Sequence, residues 1–180
     1  MLQAVGVDLL CAPGAGTSRP MLAPTIAGAI LALMLSSPAS ADFTGTVVAV
    51  ADGDTLTVSV DGRQVKVNLA EIDAPELKQP YGQESRQSLA EICLGKNALV
   101  REVGPYRNGR TVGRVDCSGT DANAEQVRRG MAWVYQRHKD STSPLYFFEN
   151  AAQRSHEGLW ADKSPVRPWI WRRGQKGRFR

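Results

Sequence analysis

The stretch on which the fold turns is Val50-Ala51-Asp52-Gly53-Asp54-Thr55-Leu56-Thr57-Val58-Ser59-Val60-Asp61-Gly62. It opens as an acidic turn and continues as a strict alternation. Leu56, Val58 and Val60 fall on one face, Thr55, Thr57 and Ser59 on the other, the period of a half-buried strand. Asp61-Gly62 is a favourable two-residue hairpin turn, and Val65, Val67 and Leu69 resume the alternation beyond it. A two-residue loop sets Val58 opposite Val65 and Leu56 opposite Val67, apolar against apolar. Upstream, the β-branched run Thr44 to Val50 reads as a strand. Three strands joined this way form a meander, so the turn after the first strand and the end of the third lie at one edge of the sheet. The third strand leads into Ile72-Asp73-Ala74-Pro75-Glu76. The meander therefore predicts that both acidic clusters meet, with four carboxylates within reach of a single hard divalent ion.

Downstream, the pattern predicts a helix from about Gly82 to Leu94 with Leu89, Ile92 and Cys93 inward and Gly95 as its C-terminal cap. Ala98–Glu102 and Thr111–Cys117 read as strands around an Asn108-Gly109 turn. Asp121–Met131 reads as a second helix, and Ser143-Pro144 opens a third, ended by Gly158. Five strands with few, short helices fit a small closed barrel.

Residues 1–41 differ from the rest. They carry one Arg and one Asp, an apolar run from Met21 to Leu35, and Ala39-Ser40-Ala41, which has the form of a signal-peptidase site. The expectation is an export signal cleaved after Ala41, a secreted or periplasmic protein, and no membrane span thereafter. The remaining chain is one domain's worth of residues. The net charge of +4 gathers at the C-terminus in Arg172, Arg173, Lys176, Arg178 and Arg180. Residues 173–180 read as a basic tail after a domain covering 42–172. A positive surface attracts polyanions. Cys93 and Cys117 are an even pair in an exported domain and are expected to form a disulfide. His138 and His156 are far apart and there is no Cys/His cluster, which argues against zinc.

Asp54 and Asp73 are hard oxygen ligands of the kind calcium or magnesium takes, with carbonyls and water completing the shell. A carboxylate near such an ion, but not fully engaged by it, can take a proton from water; Glu76 is placed for this. Arg110 could fork onto a phosphate. Arg114, on the same face of its strand, competes for that role. Tyr81, Trp133 and Tyr135 are aromatic residues suited to stacking on bases, although Trp133 fits a core position better and Tyr135 the wall of a groove. Trp160, Trp169 and Trp171 fit as pins holding the C-terminal segment to the barrel.

Several motifs in order, Val50 to Thr55, Leu69 to Glu76, Gly109-Arg110, Gly130 to Tyr135 and Gly158-Leu159-Trp160, together resemble the staphylococcal nuclease (thermonuclease) family over residues 44–172. The resemblance implies an α+β fold, an OB-type five-stranded barrel with three α-helices. It also implies calcium-dependent hydrolysis of DNA and RNA, with cleavage at the 5′ oxygen leaving 3′-phosphate ends. On matching positions, Asp54, Asp73 and the Ala74 carbonyl would hold calcium, with Asp52 acting through water. Glu76 would be the general base and Arg110 would bind the scissile phosphate. No stable protein partner is implied, and a monomer is expected.

The chain departs from the family's pattern at Asn68, where members usually carry an arginine, and at Tyr106 and Asn108. An asparagine supplies no positive charge to the phosphate, a loss typically on the order of 10²–10³ in rate. Lys66, two residues away on the same face, could partly compensate. The expectation is a functional but slowed nuclease. Two other readings stand beside it: a non-catalytic OB-fold module that binds nucleic acid, favoured by Asn68, and a structural domain that binds calcium for stability alone.

Overall fold

The computed structural model describes residues 42–107, 110–135 and 143–177. The expected export signal and the Asn108-Gly109 turn lie outside them. Strands β1 (Phe43–Val50), β2 (Thr55–Val60) and β3 (Arg63–Leu69) form the predicted antiparallel meander. The register is the one the alternation requires, Val58 opposite Val65 and Leu56 opposite Val67. Asp61 and Gly62 have φ of 48° and 79°, the left-handed pair that a tight hairpin uses. A bulge between Val47 and Ala49 bends β1 and leaves Val48 outside the barrel.

After β4 (Ile72–Asp73) and helix α1 (Gly82–Cys93), the long strands β5 (Asn97–Arg107) and β6 (Arg110–Cys117) form a second hairpin. β5 pairs with β1, and β6 runs parallel to β3 through Val67–Thr111, Asn68–Val112 and Leu69–Gly113. That last pairing closes a five-stranded barrel. Val47, Leu56, Val58, Val67, Val100 and Val115 fill it, each at most 1% exposed. At about 1.5–3 kcal/mol per buried side chain, this core is the main source of stability.

A two-residue strand, β7 (Thr120–Asp121), leads into α2 (Ala122–Arg128), whose first turn is capped by the Asp121 side chain accepting from Ala124 N–H. Sequence periodicity ran this helix on to Met131. It stops earlier because Gly130 turns left-handed, at φ 64°, and Met131 N–H returns to the Gln126 carbonyl. Strand β8 (Trp133–Val134) pairs with β4, a match of two residues each that no periodicity could reveal. α3 (Leu145–Arg154) follows, then a 3-10 turn over Gly158–Ala161. The helix begins one residue later than expected, with Pro144 at its cap position, while the Ser143 hydroxyl donates to Glu71 and accepts from Leu145 N–H.

Two expectations need correction. There are four α-helices among the described residues, not three, because α4 covers Pro168–Gly177. It also runs through the expected 172/173 boundary, so residues 173–177 are helical rather than a tail. Pro168 suits a first helical position, and Trp169 packs on Tyr135 with ring centroids 5.1 Å apart. The first contribution is local, and the second comes from packing on a distant residue. Trp160 meets the buried Trp133 edge-on at 5.5 Å, so Trp160 and Trp169 fasten the C-terminal region to the β8 segment.

Cys93, the last residue of α1, is bonded to Cys117 at the end of β6. Closing that span constrains the unfolded chain by about 3–4 kcal/mol. The Cys93→Ala/Cys117→Ala variant is expected to melt roughly 10 °C lower than the native protein in non-reducing buffer. Equal melting temperatures by circular dichroism would show that the bond contributes nothing.

Candidate active site

The turn between β1 and β2 is built by its own backbone and by Asp52. Ala51 N–H bonds to the Thr55 carbonyl at 2.8 Å, and Asp54 N–H donates to Asp52 Oδ1 at 3.1 Å. Two bonds then tie this turn to the end of the meander. Leu69 N–H reaches the Asp54 carbonyl at 2.8 Å, and Ala74 N–H reaches Asp54 Oδ2 at 2.8 Å. The antiparallel pairing of Asp73 with Trp133 fixes the second loop from its other side.

Helix α2 braces the first loop and the turn that leads into β4. Buried Gln126 donates to the carbonyls of Gly53, at 2.7 Å, and Ser85, at 3.0 Å. Buried Asn123 donates to the Ala70 carbonyl at 2.8 Å and accepts from Val115 N–H at 3.0 Å. The approach is close enough to need a glycine. A Cβ on Gly53 would stand 1.8 Å from Ser85 Oγ and 2.7 Å from Ala74 Cβ.

Asp52, Asp54, Asp73 and Glu76 line one open cavity of about 730 Å³, together with Thr55, Asn68, Arg110, Tyr135 and Arg172. A larger cavity of about 960 Å³ lies beside α1 and α2, where Glu91 and Arg129 face each other. In the carboxylate cavity, burial pushes Asp54 well above the usual carboxyl range, and the charge of Asp52 pushes it further. Burial also raises Asp73, against the opposing pull of hydrogen bonds from Arg172. Asp54 Oδ1 accepts from the Thr55 hydroxyl at 3.0 Å. Crowded, buried carboxylates of this kind gain from a cation.

The meander thus brings together Asp52, Asp54, Asp73 and Glu76, as the alternation led us to expect, and the pairing of β6 with β3 adds Arg110. Arg110 lies on the cavity wall with Nη1 3.5 Å from Asn68 Oδ1. Arg114 is settled elsewhere, paired with Glu71 at 2.5 Å, and so drops out as a phosphate ligand. Tyr135 lines the groove, but Trp133 is core. Lys66 is exposed opposite Thr57 and stands outside the cavity, a poor position from which to replace an arginine at 68. Tyr81 is the left-handed residue preceding α1 and is likewise outside.

Sequence reasoning missed Arg172. From α4 its guanidinium forks onto both oxygens of Asp73, at 3.0 and 2.6 Å, and meets Glu76 at 2.7 Å. The Asp73 bonds lead in raising its own pKa further. It missed Gln79 too, whose buried amide accepts from Glu76 N–H and donates to the Val166 carbonyl. Both contacts span more than 85 residues on their distal side, and no local pattern signals them.

Among the described residues no three acidic or histidine side chains are already drawn around one point as a metal cage. The four-carboxylate cluster therefore exists as a shared cavity rather than as a preformed set of ligands. The donor chemistry nevertheless fits a hard ion bound by the carboxylates of half-buried Asp54 and buried Asp73 and by the Ala74 carbonyl, with water for the remainder.

The family model of staphylococcal nuclease homologues matches residues 66–162. A micrococcal nuclease of Shigella flexneri is 40% identical over 158 residues, covering 82% of this chain and 91% of the relative. An uncharacterized endonuclease of Haemophilus influenzae is 42% identical over 132 residues, covering 72% and 73%. A staphylococcal-like nuclease of Arabidopsis thaliana is 35% identical over 115 residues, 64% of this chain and 35% of that longer protein. The barrel, the acidic loops at its rim and these matches agree: the chain belongs to the family of staphylococcal nuclease homologues.

Proposed function

We propose that this nuclease hydrolyses phosphodiester bonds of DNA and RNA in a calcium-dependent reaction that leaves 3′-phosphate ends. The observation that supports it best is the single cavity lined by Asp54, Asp73, Glu76 and Arg110. In this reading Asp54, Asp73 and the Ala74 carbonyl hold the ion, with Asp52 acting through water. The ion, when bound, supplies positive charge against the phosphoryl oxygens. Glu76 takes the proton of the attacking water as its oxygen bonds to phosphorus and the bond to the 5′ oxygen breaks. Arg110 donates to the phosphate and meets the charge that develops there. Tyr135 offers an aromatic wall to a base. The proposal involves one copy of the chain and no protein partner.

The same reading takes residues 1–41 as an export signal and places the mature protein in the periplasm or outside the cell. The Cys93–Cys117 bond supports this, since such bonds persist in oxidising compartments. A nucleic-acid-binding module without catalysis is the rival reading. It has a feature in its favour, Asn68, but gives no reason for Glu76 to line the cavity.

Glu76→Gln is expected to lower calcium-dependent cleavage of DNA by about 10²–10⁴-fold while leaving the melting curve intact. Undiminished cleavage would remove Glu76 as the base. Binding without cleavage by the native protein would favour the rival reading.

Asp54 separates ion binding from stability. Its pKa is higher folded than unfolded, so ionisation costs stability. That cost is absent below the unfolded pKa, grows as pH rises, and is complete above the folded value. In chelator, Asp54→Asn is expected to melt higher than the native protein at pH 7, with the gain vanishing in acid. Its calcium affinity by titration calorimetry should fall at least about tenfold. A variant that melts lower at pH 7 would contradict the cost assigned to this carboxylate.

A further inference from the structure

Arg172 belongs to the last helix, yet its head group lies among the carboxylates of the site. Nη1 donates to Asp73 Oδ1 at 3.0 Å and to Glu76 Oε1 at 2.7 Å, and Nη2 donates to Asp73 Oδ2 at 2.6 Å. A guanidinium has five N–H groups. Those three bonds use both hydrogens of Nη1 and one of Nη2. The remaining pair, on Nε and Nη2, lies along one edge and points the same way. Among the described residues no group accepts from Nε. Two parallel donors of this kind match two oxygens of a phosphate.

The edge is held in place from several sides. Trp169, one turn earlier in α4, packs on Tyr135, whose own N–H bonds to the Glu71 carbonyl at 2.7 Å. Gln79 joins the Glu76 backbone to Val166, just before α4. Gln79 therefore links the helix that carries Arg172 to the loop that carries Glu76. Among the described residues that line the cavity, the barrel wall supplies only Arg110, because Asn68 beside it is neutral and is occupied with Arg110 and the Thr55 hydroxyl, at 3.5 and 3.4 Å.

We propose that Arg172 is a phosphate-binding residue of this site. It grips Asp73 and Glu76 through Nη1 and Nη2 and presents its Nε–Nη2 edge to the scissile phosphodiester. The C-terminal helix thereby provides the second guanidinium that Asn68 withholds. The inference rests on the nuclease reading above. A guanidinium fixed before the substrate arrives needs no reorganisation as charge builds on the phosphorane oxygens. The same grip aims Glu76. Each oxygen of Asp73 keeps a second lone pair, so the fork leaves the carboxylate free to bind a cation.

The test compares the full chain with Arg172→Ala, Arg172→Lys and Arg172→Ala/Asn68→Arg. Cleavage of a single-stranded oligodeoxynucleotide is measured with calcium, and binding of the same strand by fluorescence anisotropy in chelator across a salt series. Arg172→Ala should lose on the order of 10²–10³ in kcat. Lysine, which cannot fork, should restore little. Adding Asn68→Arg to Arg172→Ala should recover at least about tenfold of the lost kcat by returning a guanidinium to the cavity. The slope of log affinity against log salt should become shallower by about 0.7 in Arg172→Ala, one phosphate contact on a single strand. Unchanged kcat would overturn the proposal. So would faster cleavage, which would make the arginine a plug over the carboxylates. A loss that Asn68→Arg does not repair, with an unchanged salt slope, would reduce Arg172 to a structural role. If the native protein does not cleave at all, the nuclease reading has failed, and the salt slope still reports whether Arg172 touches phosphate.

Discussion

The hydrogen bond from Ala74 N–H to Asp54 Oδ2, 2.8 Å long, is the contact on which the site depends. It joins two loops separated by 20 residues and holds two carboxylates at a common rim, where their charges oppose each other. Left alone, like charges in a half-buried place would drive the loops apart. The backbone donor, and the neighbouring bond from Leu69 N–H to the Asp54 carbonyl, keep them together without neutralising them. The fold thus carries a local cost at the rim and supports it with the barrel beneath, a common arrangement where binding must be prepared in advance.

The support is polar and buried. Gln126 and Asn123 extend amides from α2 to the backbones of Gly53, in the first of these loops, and Ala70, in the turn just before β4. A buried amide that loses its partner costs about 1–3 kcal/mol, so each of these contacts fixes geometry as well as adding stability. Gly53 makes the arrangement possible because no other residue lets the turn approach Ser85 so closely. The Gln126 amide nitrogen is doubly engaged, with the carbonyls of Gly53 and Ser85.

The distribution of cations gives the site its individual character. In the family's usual pattern the barrel wall would supply an arginine at the position of Asn68. In this chain the wall carries Arg110, and a guanidinium from the far end of the chain meets the same carboxylates. A C-terminal stretch that reads as a solvated basic tail is therefore, in part, a wall of the cavity. Its attachment through Tyr135, Trp169 and Gln79 couples the last helix to the loop of Glu76.

The local pattern was sufficient for the barrel and for its acidic rim. Alternation from Leu56 to Leu69, with Asp61-Gly62 between, leaves one register that pairs apolar with apolar, and that register is found. The meander then dictates that Asp54 and Asp73 share an edge, since strand direction follows from chain order alone. The Cys93–Cys117 bond was expected on separate grounds, from an even pair of cysteines. Tertiary structure decided the rest. Nothing near position 172 distinguishes Arg172 from Arg173, and only the docking of α4 sends the first to Asp73. Arg110 and Arg114 share a strand face, and only the position of Glu71 removes Arg114 from contention. Strand periodicity is a property of neighbours along the chain, whereas the partner of a long, flexible cation is chosen by whichever carboxylate the finished fold brings within its reach.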